Sequence, residues 1–147
     1  MIINIQGEKD YSNSKGIKIR FDIPVIVLDR KYNYKIGVKF VHLETTPIIE
    51  WNLEDKALIA INTNLIDRSS INPTQTIYFF WNESKNSTIQ RSLAPSVVFY
   101  PLQLYEIESA TFEIISFFDN RPLNFNRALI QLEISRIDAH GRVQQIN

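Results

Sequence analysis

Within Tyr100–Ile134, two runs decide the fold: Thr111-Phe112-Glu113-Ile114-Ile115-Ser116-Phe117-Phe118 and Ala128-Leu129-Ile130-Gln131-Leu132-Glu133-Ile134. In the second, Ala128, Ile130, Leu132 and Ile134 share one face, while Gln131, Glu133 and Ser135 share the other. A period of two is what a half-buried antiparallel strand requires. The first run is β-favouring throughout. Between them, Asp119-Asn120-Arg121-Pro122-Leu123-Asn124-Phe125-Asn126 is polar and contains proline, so it reads as a hairpin connection. No catalytic or metal-binding motif is legible in this stretch or elsewhere in the sequence.

Outward from this stretch the pattern repeats. Ile17, Ile19 and Phe21 alternate with Lys18 and Arg20, Pro24 interrupts, and Val25–Leu28 resumes an extended run. Proline there implies a bend or an edge strand. After the Asp29–Asn33 turn, Tyr34, Ile36, Val38 and Phe40 point one way and Lys35, Gly37 and Lys39 the other. Ala57–Ile61, Thr76–Trp81, Ile89–Leu93, Val97–Tyr100 and Leu102–Ile107 complete the set. Thr76-Ile77-Tyr78-Phe79-Phe80-Trp81 is apolar on both faces, so it is expected to be covered on both sides, inside a sandwich or across a subunit contact. Ile48–Asp55 fits a loop or one helical turn. About eight to ten short strands at this spacing predict an all-β sandwich or barrel in one domain, residues 1–147. Residues 1–16 are expected to form an N-terminal arm or strand, and residues 138–147 a frayed tail.

Composition narrows the function classes. The 147 residues are 44% hydrophobic and 12% aromatic, enough for a sizeable core without staples. Sixteen basic residues balance sixteen acidic ones, without the basic excess of a chain whose main partner is nucleic acid. There is no cysteine, which removes disulfides, zinc–thiolate sites and thiol catalysis. Met1–Glu8 lacks the features of a secretory leader, and no window approaches the ~18 apolar residues of a membrane span. The expectation is a soluble protein made in the cytosol, without cofactor or metal.

Candidate sites are few. The two histidines, His42 and His140, stand apart from any ligand cluster. Glu54-Asp55 and Glu106 with Glu108 are the carboxylate pairs a glycosidase needs, but the latter two alternate in phase and read as the wet face of a strand. Trp51, Trp81, Tyr100 and Tyr105 could stack on sugars, although aromatics at such density more often fill a core or an interface. Asn82-Glu83-Ser84 and Asn86-Ser87-Thr88 are formal glycosylation sequons and mark an exposed loop. Phe79, Trp81, Tyr100 and Tyr105 are therefore the interface candidates.

Two segments together carry a resemblance. Phe21-Asp22-Ile23-Pro24-Val25-Ile26-Val27-Leu28-Asp29-Arg30-Lys31-Tyr32-Asn33-Tyr34-Lys35-Ile36-Gly37-Val38 has an apolar run, a charged turn, an aromatic and an alternating strand. Phe118-Asp119-Asn120-Arg121-Pro122-Leu123-Asn124-Phe125, with the Ile130–Ile134 strand, accompanies it. Together they resemble jelly-roll capsid-type proteins of small invertebrate DNA viruses and virus-like mobile elements, the adintovirus and Polinton group. The chain departs from that pattern at Glu44-Thr45-Thr46-Pro47-Ile48, where the family has an Asn and a further Pro-Asn. The resemblance implies a single jelly roll that assembles with itself, as a trimer or pentamer, and with other capsid proteins in a virion. The alternative reading is a carbohydrate- or receptor-binding β-sandwich, lectin-like or a viral spike.

Overall fold

The computed structural model describes residues 1–8, 18–44, 57–82, 87–123 and 125–146. Eight long strands build it: β1 (Ile2–Glu8), β2 (Lys18–Val27), β3 (Asn33–Glu44), β4 (Leu58–Thr63), β5 (Thr76–Trp81), β6 (Ile89–Leu93), β8 (Glu106–Ser116) and β10 (Arg127–Ile137). Three short ones extend the edges: β7 (Tyr100–Leu102), β9 (Arg121–Pro122) and β11 (Val143–Gln145). One sheet runs β1-β10-β3-β6, with β11 on β10 and β7 on β3. The other runs β2-β8-β4-β5, with β9 on β8, and all pairings are antiparallel. Counting the eight long strands in chain order, one sheet is first–eighth–third–sixth and the other second–seventh–fourth–fifth. That interleaving is the single jelly roll. Among the described residues, no helix is long and apolar enough to cross a membrane.

The core lies between the sheets. Ala128, Ile130, Leu132 and Ile134 of β10 are all buried, as the alternation requires, and Ile36, Val41, Ile59, Ile61, Phe112 and Ile114 meet them. β4 is buried along its whole length because β5 and β8 flank it on both edges. β2 keeps its strand through Pro24 by a register irregularity between Asp22 and Ile26, the bend that a proline imposes.

Four expectations need correction. Thr111–Phe118 and Ala128–Ile134 are not a hairpin: β8 and β10 lie in opposite sheets. The connection folds β9 back on β8, then crosses the end of the sandwich, anchored by Leu123 (1% exposed) and Phe125 (2%). Periodicity along one strand reports a buried face and is silent about which strand lies beside it.

In β3, Phe40 does not share the face of Tyr34, Ile36 and Val38. Val38 opposes Leu132 and Phe40 opposes Gln131, so Lys39 is an extra, bulged residue; beyond it Val41 and Leu43 turn inward and Phe40 outward. The tail is not frayed through residue 146, since β11 pairs with β10. Asp138 organises the turn between them, accepting from the His140 and Arg142 amides at 2.9 and 2.8 Å, with Gly141 at φ +79°. The Met1 amine donates to the carbonyls of Ile134 and Ile146 and ties the tail to β1. Finally, the Thr76–Trp81 strand is not covered on both sides inside the sandwich: Phe79 and Trp81 are 55% and 59% exposed on the single chain, which leaves the subunit-contact form of that expectation. The N-terminal segment takes the strand form, as β1 on β10. Tyr11–Gly16 and Ile48–Asp55 lie outside the described residues.

Candidate functional site: an aromatic outer face

The sheet β2-β8-β4-β5 is apolar on its outside at the β5 end, and strand register explains why. Phe79 opposes Ala60, which opposes Ile115. Trp81 opposes Leu58, whose carbonyl accepts from the Phe117 amide at 2.7 Å. Tyr78 and Phe80 point into the core side, so Phe79 and Trp81 point out, over Ala60 and Leu58. Phe117 and Phe118, in the turn after β8, complete the surface. Phe79 packs tilted on Phe117 at 6.1 Å and Trp81 on Phe118 at 6.2 Å, while Phe117 and Phe118 meet edge to face at 5.6 Å. These are ordinary attractive ring geometries. All four rings remain exposed, from Phe117 at 44% to Phe118 at 69%. A contiguous patch of this kind is uncommon on a monomer's surface.

Backbone polarity adds a second feature. The Asn82 amide donates to the Ala57 carbonyl at 3.0 Å, so Ala57 and Asn82 form a hydrogen-bonded pair. In an antiparallel ladder such pairs alternate. Phe80 and Tyr78 therefore turn their backbone groups to β4, and Phe79 and Trp81 turn theirs to the open edge of β5. No strand among the described residues pairs with that edge.

Of the four interface candidates, Phe79 and Trp81 are brought together. Tyr100, half-buried on β7, lines with Phe79, Phe117 and Ile71 a depression of about 560 Å³ beside the patch. Tyr105 is elsewhere. It precedes β8, whereas Phe117 follows it, and eleven strand residues span roughly 35 Å. There Tyr105 meets Tyr34 edge to face at 6.2 Å, under the Arg30 guanidinium at 5.4 Å from its ring centre. Trp51 lies outside the described residues. Sequence reasoning placed Phe117 and Phe118 in a strand but not in the site. The signal was present: two adjacent phenylalanines cannot both face one core from an extended chain.

The polar candidates are dispersed. His42 faces outward on β3 with Nε2 3.5 Å from a Glu44 carboxylate oxygen, in a shallow cleft with Gln6 and Arg127. His140 is exposed in the β10–β11 turn, and Glu106 and Glu108 are exposed on β8. Glu54-Asp55 and the sequon residues Glu83, Ser84 and Asn86 lie outside the described residues. Among the described residues no three His, Cys, Asp or Glu side chains gather as metal ligands. A polar depression of about 290 Å³ adjoins the aromatic face, lined by Asn62, Asn64, Arg68, Gln75, Thr111 and Glu113. Its groups bond largely to one another: Thr76 donates to Asn62 at 2.6 Å, the Thr111 amide to Asn64 at 2.9 Å, and Arg68 to Gln75 at 3.3 Å.

No protein-family model and no curated protein matches the chain. Among solved structures, an arabinose-bound α-L-arabinofuranosidase, MgGH51, aligns with 86% of this chain and 19% of its own, at 9% identity and a TM-score of 0.34. An aminopeptidase from a marine sediment Thaumarchaeota archaeon aligns with 95% of this chain and 27% of its own, at 10% identity and a TM-score of 0.24. The chain thus spans about a fifth to a quarter of those proteins' lengths, and likenesses this slight carry no argument about activity.

Proposed function

We propose that the protein is a non-enzymatic structural subunit that self-assembles, a jelly-roll building block of capsid type that also contacts other capsid proteins in a virion. The observation that carries self-assembly is the exposed cluster of Phe79, Trp81, Phe117 and Phe118 on one sheet face. Removing such surface from water is favourable by about 25 cal/mol per Å², and a second copy of the same face is always present. The zero formal charge supports the reading, because copies do not repel at long range. The capsid assignment rests on the sequence resemblance, since a jelly roll by itself serves many functions.

Light scattering behind a sizing column over a concentration series tests the reading. A defined homo-oligomer that Trp81→Asp splits is the expected result; a monomer at every concentration contradicts it. The second reading, a glycan- or receptor-binding module, draws on the polar depression beside the aromatic face. Its polar groups are already engaged with one another, which makes it the weaker. It predicts quenching of tryptophan fluorescence by a glycan and loss of that quenching in Trp81→Phe.

A further inference from the structure

We infer that β5 pairs antiparallel with β5 of a second copy about a two-fold axis at Phe80, joining the β2-β8-β4-β5 sheets of the two copies into one. The inference rests on the self-assembly reading and specifies its geometry. Its first support is the chemistry of the edge. Thr76-Ile77-Tyr78-Phe79-Phe80-Trp81 has no charge, proline or glycine. Natural sheet edges are normally guarded by charge, proline or bulges, because an open ladder invites a stray strand. The other edges carry such devices or are very short: Glu8 ends β1, Arg91 is in β6, Pro101 in β7, Lys18, Arg20, Asp22 and Pro24 in β2, Arg121-Pro122 form β9, and β11 has only three residues. β5 has only a bulge at Ile77, since Tyr78 opposes Ile61 and Thr76 opposes Asn62. That leaves Tyr78–Trp81 straight.

The second support is register. Phe79 and Trp81 are the residues of the straight segment whose backbone donors and acceptors face the open edge. Setting Phe79 opposite the partner's Trp81, and Trp81 opposite the partner's Phe79, satisfies all of them. The same register places the two rings of each pair on one face, where cross-strand aromatics attract. The partner's Trp81 then arrives beside Phe79, next to the depression that Phe79 borders.

Area sets the strength of the contact. Edge pairing covers the rings of Phe79 and Trp81, each about half exposed, so of the ~150–250 Å² a ring can bury they offer roughly 150–250 Å² per chain. Doubled by the two-fold and joined by the edge backbone, this is a small contact, below the ~1,000 Å² of a standard interface, and its formation is concentration-dependent. The unit is thus two-fold, in place of the three- or five-fold contact that the family resemblance implies.

Amide hydrogen exchange followed by NMR, above and below the association concentration, tests this. In the assembled protein the Phe79 and Trp81 amides exchange at least about tenfold more slowly than in the monomer, and regain the fast rate on dilution. Assembly in which both amides exchange as fast as in the monomer overturns edge pairing and leaves self-assembly by face contact standing. No assembly at any concentration overturns both. Phe79→Lys places a charge on the edge without removing a bond to β4, and raises the dissociation constant about 30-fold or more. Leu93→Lys, on exposed β6, leaves it unchanged. Persistent protection of the Ile61 and Ile115 amides shows that either variant is folded, and unaltered association of a folded Phe79→Lys overturns the pairing.

Discussion

Gly37 shows how one residue fixes a crossing. It sits on the outer side of β3, where the segment between β6 and β7 passes over it. A Cβ there would lie 2.5 Å from the Val98 carbonyl oxygen and collide with Val97 Cγ1. Gly37→Ala forces that backbone away and costs about 1–3 kcal/mol, the usual penalty of overpacking, read from urea unfolding. An unchanged midpoint would mean the segment yields freely. Tyr34 gives a pH dependence. Its ring is buried, and its hydroxyl donates to the Asp29 carbonyl at 3.0 Å. Burial, with the Asp29 carboxylate next, raises its pKa above the ordinary phenol value. The unfolded chain ionises first, near pH ~10. The stabilisation from Tyr34 is therefore complete below that pH and is lost as pH rises through the raised folded value. Tyr34→Phe should show a shallower alkaline loss of stability than the parent; an identical slope contradicts the assignment. Gly37 was legible as a strand position, but the chain above it was not, because that contact is set by the β6–β7 path.

At the scale of elements, the alternation of Ala128–Ile134 was readable because a strand with one buried face has little freedom of register. The pairing partner was not readable. Leu123 and Phe125 sit in a polar segment that looks like a turn, yet they are among the most buried side chains. Their role depends on the chain crossing between sheets, which no local pattern encodes. Phe125→Ala should accordingly cost about 3–5 kcal/mol, the range for deleting a packed ring. A cost below about 1 kcal/mol in denaturant unfolding would show the connection to be a surface loop. Phe40 illustrates the complementary case: one bulged residue, Lys39, reverses every later side chain, and the sequence marks no place for it. In β5 the sequence revealed an excess of apolar side chains on both faces but not that one face lies open, since that depends on what stands beside the strand.

At the scale of the molecule, the two outer surfaces differ. The β1-β10-β3-β6 sheet presents mainly polar side chains, with Gln131 donating to Asn4 at 2.9 Å and His42 beside Glu44, among scattered apolar ones such as Leu93. The opposite sheet presents the four aromatic rings. This asymmetry gives the molecule one sticky side, which favours closed, self-limiting association over a filament. The jelly-roll order emerges only when all eight strands are placed, whereas the all-β class followed from strand signals alone. The measurement that tests the central claim most directly is molar mass by light scattering across a dilution series, for the parent and for Trp81→Asp. A parent mass at an integer multiple of 17.2 kDa that falls to 17.2 kDa in the folded variant is the predicted result. Parent and variant both at 17.2 kDa throughout, or both assembled alike, would contradict self-assembly through the aromatic face.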